Sequence, residues 1–512
     1  MKRILSITVL FAAGLVSCND LSLVPVDRLT GSNFPLTDND AIAAVNGVYI
    51  ANSDFSSSSS YVAELPADAM QCGEEVTTGS GAAIGVYRHD ANNGTVTYVW
   101  SVLYQGVTGA NAAIDNIAAA AAVSEPLKTR LTGEAKFLRA LYYFYLVQLF
   151  GEVPLALHPE DGIGVTRAPL DEVYAQIVDD LKAASASGVL PVSYGGADRG
   201  RATNGAARAL LAKVYLVWAQ VSPGSDAAGK YTLAIEAANH VTGYELEEDF
   251  LDNWNTNRRN GKENIFSAHH VISQASNGDG GNHLAHCSFA TGFSDVTPHL
   301  IVSDLSFYNR FDDRDQRKAG SYAKRLYNPD TDDYFEFTLP RFRKYIDTLN
   351  ITTTNLTRSI DRTILRYAEV LLIKAEAQNE RDLGPDTESY EAINQVRRRA
   401  FRHFPVTAAS ADDVPAGLSY EQFREAVRNE RFFEFVYEQK RWFDLVRWRI
   451  LVESASVVKN EFTDKSAIGL KHYRFPIPQS QRNINPEGLW QNWGWDGADE
   501  AKTGANPYAG FK

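Results

Sequence analysis

Pairs of amphipathic segments with helical spacing recur along this chain, and they restrict its fold more than any other feature of the sequence. In one segment, apolar residues recur every three or four positions from Leu131 to Leu149, until Gly151 and Pro154 end the pattern. Similar segments are predicted at residues 170–185, 203–218, 227–241, 364–375 and 390–401. Helix–turn–helix units of roughly 35–45 residues must stack to bury their apolar faces, so a helical repeat of the tetratricopeptide type is predicted.

Three long stretches lack this helical spacing: residues 53–96, 244–355 and 456–512. The first is rich in Ser, Gly and Asn, and the second mixes strand-like pieces such as Ile265–Val271 with Gly-rich turns. Loops of this length in a compact protein are usually functional or disordered, and their aromatic content favours ordered, functional loops. The predicted fold is therefore mainly α, a helical repeat with a long loop-rich region that carries minor β structure.

The N-terminus has the pattern of a bacterial lipoprotein leader. Lys2 and Arg3 precede an apolar stretch that is too short to remain as a membrane span. The stretch ends in Leu-Val-Ser-Cys, where the small residue before Cys18 admits the signal peptidase and the thiol carries the lipid. We predict a signal peptide at residues 1–17, lipidation at Cys18 and a Pro-containing tether at residues 18–37. The alternatives are an ordinary signal peptide cut nearby and a chance cysteine.

The charge balance argues against one class of partner. Lys and Arg total 50 against 63 Asp and Glu, a net charge of −13, whereas proteins that bind nucleic acid need a basic face. No later apolar run reaches the roughly 18 residues of a membrane span, so lipid is the predicted anchor. Beyond Cys18 only Cys72 and Cys287 remain, which permits one disulfide without establishing that the two residues pair.

Two segments have the residue types of a metal site but not the spacing. His269, His270, His283, His286, Cys287 and His299 cluster within a Gly-rich stretch, yet their spacing fits no standard zinc module. Residues 328–333 begin like a calcium loop but lack the Gly at position six and the Glu at position twelve, so a turn between strands is predicted. We therefore predict no metal ion and no cofactor.

An alternating series of charges near the C-terminus admits two interpretations. Glu438, Arg441, Asp444 and Arg447 follow one another at the spacing of neighbours on one helix face. Glu438 and Asp444 could form the acid/base pair of a glycoside hydrolase, in which the carboxylates lie about 5–9 Å apart. Alternating charges neutralise one another, however, and an ion-pair network that holds the last helices to the repeat is the favoured interpretation.

Several short motifs follow one another in a specific order along most of the chain. After Cys18 they comprise Gly133–Ala140, Phe150–Leu155, Gly200–Thr203, Ala206–Leu216, Arg366–Ala377, Ile393–Arg397, Asn429–Arg431, Asp444–Trp448, Phe475–Pro478 and Asn485–Pro486. Each motif alone is weakly diagnostic, but in this order they resemble the SusD/RagB family of outer-membrane nutrient-binding lipoproteins.

This resemblance implies an architecture and a function. The body at residues 38–512 would carry four tetratricopeptide-like pairs, with an N-terminal part at about 38–243, a loop-rich ligand-face insertion at about 244–355 and a C-terminal part at about 356–512. Members of the family are not enzymes. They sit on the outer membrane over a TonB-dependent transporter of the SusC type and help to deliver oligosaccharides or peptides into it. A peptide importer, a surface glycoside hydrolase and a protein-only scaffold are the alternatives.

A carbohydrate site needs aromatic faces for the apolar side of a sugar ring and polar side chains for its hydroxyl groups. Two loops offer both, and the ligand face of the family uses similar parts of the chain. The predicted ligand-binding residues of the first loop are Asp68, Tyr87, Arg88 and Asn92, and those of the second loop are Phe289, Phe293, Asp295 and Tyr308.

Overall fold

The computed structural model of the chain describes residues 37–72, 79–162, 164–222, 224, 226–270, 301–303, 305–328, 331–346, 360–459 and 463–512. The predicted signal peptide, Cys18 and nearly all of the tether lie outside these residues. The same is true of Phe289, Phe293 and Asp295, and of the part of the histidine cluster that runs from His283 through Cys287 to His299.

Helices make up most of the described structure. They are α1 (Asp38–Ala63), α2 (Ser80–Gly85), α3 (Gly94–Ala119), α4 (Glu125–Phe150), α5 (Leu170–Ala184), α6 (Asn204–Val221), α7 (Ala227–Asn239), α8 (Leu305–Tyr308), α9 (Gln316–Ser321), α10 (Tyr367–Asp382), α11 (Thr387–Ala400), α12 (Tyr420–Phe435), α13 (Arg441–Arg447), α14 (Leu451–Ala455), α15 (Gln479–Ile484) and α16 (Glu500–Thr503). Within the described part of the chain, none of them joins enough length to enough apolar character to cross a bilayer.

The long helices pack in pairs that follow one another along the chain. The pairs are α1 with α3, α4 with α5, α6 with α7, and α10 with α11. Each pair also packs against the next, through α3 and α4, α5 and α6, and α7 and α10. This continuous stacking is the geometry of a helical repeat, so the predicted fold class is confirmed.

The helical repeat has an apolar core that is centred on α4. Phe137, Leu138 and Tyr142 of this helix are completely buried. The Tyr142 hydroxyl donates a 2.6 Å hydrogen bond to the Val48 carbonyl of α1. Gly106 of α3 lies so close to the Tyr142 ring that a Cβ there would approach a ring carbon to 2.5 Å. A side chain at this position would therefore push α3 away from α4.

Strands are short and occur in pairs. They are β1 (Met70–Cys72), β2 (Val153–Pro154), β3 (Arg167–Ala168), β4 (Asn264–Ala268), β5 (Ile301–Ser303), β6 (Tyr322–Asn328), β7 (Asp333–Phe342) and β8 (Arg362–Arg366). The antiparallel pairs in the described structure are β1 with β5, β2 with β3, β4 with β8, and β6 with β7. In the last pair Asn328 faces Asp333, so the predicted turn between strands at residues 328–333 is confirmed.

Two sequence predictions about local structure were wrong. Residues 53–96 are not free of helix, because α1 continues to Ala63 and α3 begins at Gly94. The Ser-rich end of α1 is helical because tertiary packing overrides the weak helix propensity of serine, and Ser56, Ser59 and Ser60 are completely buried. The buried hydroxyl groups are satisfied within the helix, as the Ser56 hydroxyl is by the Asn52 carbonyl at 2.9 Å. Ile364 does not belong to the helix predicted at 364–375, since it lies in β8, and pairing with β4 overrides its helical spacing.

Candidate ligand-binding site

A cleft of about 520 Å³ lies between the end of α8, helix α9 and the β6–β7 hairpin. Its volume falls within the range of about 300–1,000 Å³ that is typical of ligand sites. Its lining consists of four tyrosines, four cationic side chains, one carboxylate and three small or apolar side chains: Tyr308, Asp313, Lys318, Ala319, Tyr322, Ala323, Lys324, Arg325, Leu326, Tyr327, Tyr334 and Arg343. We call this feature the hairpin cleft.

The hairpin cleft presents aromatic rings to solvent. Tyr327 and Tyr334 are 45% and 53% exposed, which is unusual for such large side chains. Their rings meet edge to face with centroids 5.7 Å apart. The Tyr327 hydroxyl donates a 2.6 Å hydrogen bond to a carboxylate oxygen of Asp332, and this bond raises the pKa of Tyr327. On the opposite wall, the half-buried Tyr308 packs edge to face against Tyr322.

Cations lie over these rings. The Lys318 and Lys324 ammonium groups are 4.7 Å and 5.3 Å from the centre of the Tyr308 ring. The Arg325 guanidinium is 4.7 Å from the centre of the Tyr334 ring. Such contacts hold a cation in place without neutralising it, since the ring contributes only its quadrupole. The cleft can therefore offer both a stacking surface and fixed hydrogen-bond donors.

Both ends of the hairpin are attached to the helical repeat by buried charges. Arg317, in the helix that leads into β6, donates to Glu430 at 2.6 Å and to Glu434 at 3.0 Å. Lys344, just after β7, donates to Glu438 at 2.6 Å and to the Glu434 carbonyl at 2.9 Å. All of these side chains are buried. Because such bonds are directional, they fix the position of the hairpin on α12.

Strand pairing links the chain segments that carry Asp68 and Tyr308. Asp68 lies two residues before β1, Tyr308 lies shortly after β5, and these two strands are paired. Tyr308 lines the hairpin cleft. Asp68 is buried, and its carboxylate accepts two hydrogen bonds from Arg441, at 2.8 Å and 2.7 Å. A direct bond from Asp68 to a ligand would require this ion pair to open.

Tyr87 of the first predicted loop lies against the C-terminal segment. Tyr87 is only 4% exposed, its hydroxyl donates to the Pro66 carbonyl, and its ring centroid is 5.0 Å from that of His472. In this conformation Tyr87 has no free ring face for a sugar, contrary to its predicted stacking role. Arg88 and Asn92 are exposed and stay predicted ligand residues.

Sequence reasoning missed most of the hairpin cleft. Tyr327 and Tyr334 flank the predicted turn at residues 328–333, and Lys324 and Arg325 precede it by a few positions. The signal was therefore available, because a polar turn between two Tyr-bearing strands exposes both rings. Which side chains of β6 are buried could not be predicted from alternation along the sequence. A register irregularity between Ala323 and Arg325 breaks the strict alternation of faces along this strand.

A second cavity, of about 180 Å³, lies beneath the C-terminal segment. Its polar groups are largely occupied by the protein itself. Arg167 donates to the carbonyls of Glu152 and Trp490, at 2.8 Å and 2.7 Å, and the Trp493 indole donates to the Ala505 carbonyl at 2.7 Å. The bond from Arg167 to Trp490 attaches the C-terminal segment to strand β3, and the bond from Trp493 lies within that segment. The larger cleft with exposed rings is accordingly the better candidate for a ligand site.

The C-terminal charge series forms an ion-pair network, as predicted. Asp444 accepts hydrogen bonds from Arg431 and Arg447, each at 2.9 Å. Glu438 is bonded to Lys344 and Arg366 instead of Arg441. Burial alone would raise the pKa of Glu438, but the charges of Arg366 and Lys344 lower it overall. A paired carboxylate with a lowered pKa is a poor general acid, which argues against a glycosidase pair here.

Metal-ligating groups come together at one place in the described part of the chain. Asp115, His158 and Glu160 could each bring one ligand atom within 4.8 Å of the others. The His158 Nδ1 atom lies 3.0 Å from an Asp115 oxygen, and this hydrogen bond raises the pKa of His158. An exposed His–Asp pair accounts for this geometry. Of the predicted histidine cluster, His269 bonds to Asp361 at 2.8 Å.

Comparisons with known proteins identify sequence families and relatives that match this chain. A sequence model described as the SusD family matches residues 238–495. A second model, described as starch-binding associating with outer membrane, matches residues 48–216. SusD-like protein P2 of Formosa agariphila is 29% identical over 482 residues, which cover 88% of this chain and 91% of that protein.

Solved structures agree with the sequence matches. A SusD homolog from Bacteroides thetaiotaomicron superposes with a TM-score of 0.76 at 25% identity, covering 89% of this chain and 97% of the homolog. Surface glycan-binding protein A from Bacteroides fluxus has the same fold, with a TM-score of 0.72 at 23% identity over 90% of this chain and all of that one. Since the SusD family model alone matches half of the 512 residues, the chain belongs to the SusD family.

Proposed function

We propose that this protein is a non-catalytic cell-surface protein that binds an oligosaccharide or polysaccharide in the hairpin cleft and delivers it to a TonB-dependent outer-membrane transporter of the SusC type. The observation that carries the proposal is the pair of exposed rings, Tyr327 and Tyr334, on a hairpin whose two ends are attached to the helical repeat.

The chemistry of the cleft suits a sugar. The apolar face of a pyranose ring can stack on a tyrosine, while hydroxyl groups accept hydrogen bonds from Lys324 and Arg325 or donate them to Asp313. Because the hairpin is already held by buried ion pairs, little ordering entropy would be lost when the ligand binds. A rigid aromatic surface of this kind is suited to ligand binding, not to catalysis.

Relatives support the same direction. A structural neighbour is a surface glycan-binding protein, and one of the matching family models is described as starch-binding and associating with the outer membrane. Lipidation at Cys18, followed by a tether at residues 18–37, would hold the protein on that membrane. The ligand would then favour a closed complex with the transporter through its higher affinity for that state.

The test is calorimetric titration of residues 19–512 with a panel of oligosaccharides and a peptide mixture. We expect one glycan class to bind, and Tyr334→Ala to weaken that binding by about 1–3 kcal/mol, the usual range for a stacking aromatic that acts as a hot spot. Tyr98→Ala is the matched control, because Tyr98 is a comparably exposed tyrosine on α3.

The outcomes separate the alternatives. Binding of peptides alone would replace the glycan proposal with a peptide importer. Release of reducing sugar that disappears when one carboxylate is replaced would identify a glycoside hydrolase. Absence of binding to every ligand of the panel would contradict ligand binding by the soluble protein and favour a protein-only scaffold. Equal loss of affinity in Tyr334→Ala and Tyr98→Ala would remove the hairpin cleft from the proposal.

A further inference from the structure

We infer that the glycan bound in the hairpin cleft is anionic and carries carboxylate or sulfate groups. This inference rests on the proposed function and deepens it, because it specifies the chemical class of saccharide. It comes from the distribution of paired and unpaired cations in the described structure.

The lining of the hairpin cleft is strongly cationic on an acidic protein. Four of its side chains are Lys or Arg, namely Lys318, Lys324, Arg325 and Arg343, and one, Asp313, is a carboxylate. The whole chain has the opposite balance, with 63 acidic and 50 basic residues. A local excess of positive charge inside a concave surface concentrates anions there and speeds their association.

The cations of the cleft also differ in their partners from the buried arginines that pack around α12. Arg317, Arg366 and Arg399 are each bonded to two or more carboxylates. By contrast, no carboxylate of the described residues forms an ion pair with Lys324 or Arg325, although Glu336 is opposite Arg325 in the strand register. Both side chains are exposed and rest on tyrosine rings.

The two remaining cations strengthen this contrast. Lys318 is paired with Asp313 at 2.6 Å, but the Asp313 side chain is 93% exposed, so this surface pair is weak and can exchange partners. Arg343 donates to the Ala319 carbonyl at 3.2 Å, and burial lowers its pKa. A partly buried guanidinium of this kind is stabilised when an anion approaches it.

The geometry suits charged sugars better than neutral ones. Carboxylate and sulfate groups are planar or tetrahedral arrays of oxygen atoms that an arginine can bind with two parallel hydrogen bonds. Arg325 beside Tyr334 offers a ring face for the pyranose next to a guanidinium for its acidic substituent. The adjacent Lys324 beside Tyr308 repeats this arrangement across the cleft.

The experiment compares matched ligands on the soluble chain, residues 19–512. The carboxylate pair is tetragalacturonate and its fully methyl-esterified form, and the sulfate pair is a sulfated galactan tetrasaccharide and its desulfated form. We expect the charged member of at least one pair to bind roughly tenfold or more tightly, because a hydrogen bond to a charged group contributes about this factor. Its affinity should fall with increasing salt.

The double variant Lys324→Gln with Arg325→Gln locates the effect. It should remove most of the preference for the charged ligand and most of the salt dependence. The neutral member should lose affinity by a smaller factor, because it loses hydrogen bonds to its hydroxyl groups but no charge–charge attraction. Lys128→Gln with Arg381→Gln removes the same charge from helices of the repeat and is the control. Thermal unfolding of both double variants checks that they are folded.

The failures are distinguishable. Equal affinity for charged and neutral members, with Tyr334→Ala still weakening both, would overturn the anionic inference and leave the proposed glycan binding intact. A preference for anions that survives the Lys324/Arg325 double variant would also overturn it, because the anion would then bind elsewhere. Absence of binding by every saccharide would overturn the inference together with the proposed function.

Discussion

Two regions of this protein differ in how much charge they bury. Around α4 the interior is mainly apolar, with Phe137, Leu138 and Tyr142 fully buried. Around α12 the interior is charged: Glu434 is bonded to Arg317, Arg366 and Arg399, and all four side chains are completely buried. Apolar burial is non-directional, whereas an ion-pair network specifies the position of each partner.

This difference has a consequence for the ligand site. The apolar core only has to hold helices together, and it tolerates small shifts in their positions. The charged core has to hold a hairpin at a defined place, because the cleft lies between that hairpin and α9. Buried ion pairs often stabilise a fold no more than well-packed apolar residues would. We therefore interpret the charged core as a device that positions the hairpin.

The largest expected effect comes from removing one cation of the charged core. Arg366 donates to Glu263, Glu434 and Glu438, at distances of 2.5–2.9 Å. Arg366→Met would leave these carboxylates buried with too few partners, so we expect the free energy of unfolding to fall by about 3–5 kcal/mol. Urea denaturation measures this change.

The control for Arg366 is an arginine outside the charged core. Arg381 is paired with Asp382 near the end of α10, and both side chains are partly exposed. Arg381→Met should therefore change the free energy of unfolding by no more than about 1 kcal/mol. If Arg366→Met also lowered the free energy of unfolding by less than about 1 kcal/mol, the charged core would not hold the hairpin in position.

A truncation in the apolar core should cost slightly less and leave the cleft unaffected. Leu138→Ala removes a completely buried side chain and leaves a cavity, so we expect a loss of about 2–5 kcal/mol in the free energy of unfolding. The folded variant should keep its affinity for the glycan, because Leu138 does not take part in the network that holds the hairpin. Reduced affinity in a folded Leu138→Ala protein would contradict the division between the two cores.

The last effect concerns pH and is the smallest per measured step, and it separates two buried glutamates. Burial alone would raise the pKa of Glu376, but the charge of Arg447 lowers it to about 2. Glu376 thus binds fewer protons in the folded state, and its contribution to stability is lost as pH falls from about 4.5 to about 2. Glu64 behaves oppositely, because burial raises its pKa to about 8.

Glu64 therefore gives a pH dependence of stability whose sign can be tested. The folded state holds a proton on Glu64 that the unfolded state releases above about pH 4.5, so stability falls as pH rises toward 8. Glu64→Gln cannot titrate, and it should flatten this fall by up to about 1.4 kcal/mol per pH unit. Urea denaturation at pH 5, 6, 7 and 8 measures the slope. An unchanged slope would show that Glu64 is ionised when buried.

Much of the helical repeat could be predicted from local sequence. The segment from Leu131 to Leu149 lies within α4, and the predicted helix at 170–185 corresponds to α5. The predictions failed where strand pairing or tertiary packing overrode local propensity, as at Ile364 and at the Ser-rich end of α1. Of the described candidate ligand residues, Tyr308 lines the cleft. Asp68 is instead buried in an ion pair with Arg441, and Tyr87 is buried with its hydroxyl bonded to the Pro66 carbonyl.

The sequence by itself determined the helical repeat and its family, because apolar spacing and motif order are local properties that one chain displays directly. Tertiary structure alone decided which charges are paired. Arg317 and Glu430 are 113 residues apart, and Asp68 and Arg441 are 373 apart. The spacing of charges along the chain does not reveal such partners, and a buried charge must find one because desolvation without a partner is too costly. Lys324 and Arg325 are exposed, and no carboxylate of the described residues pairs with them, so they are available to a ligand.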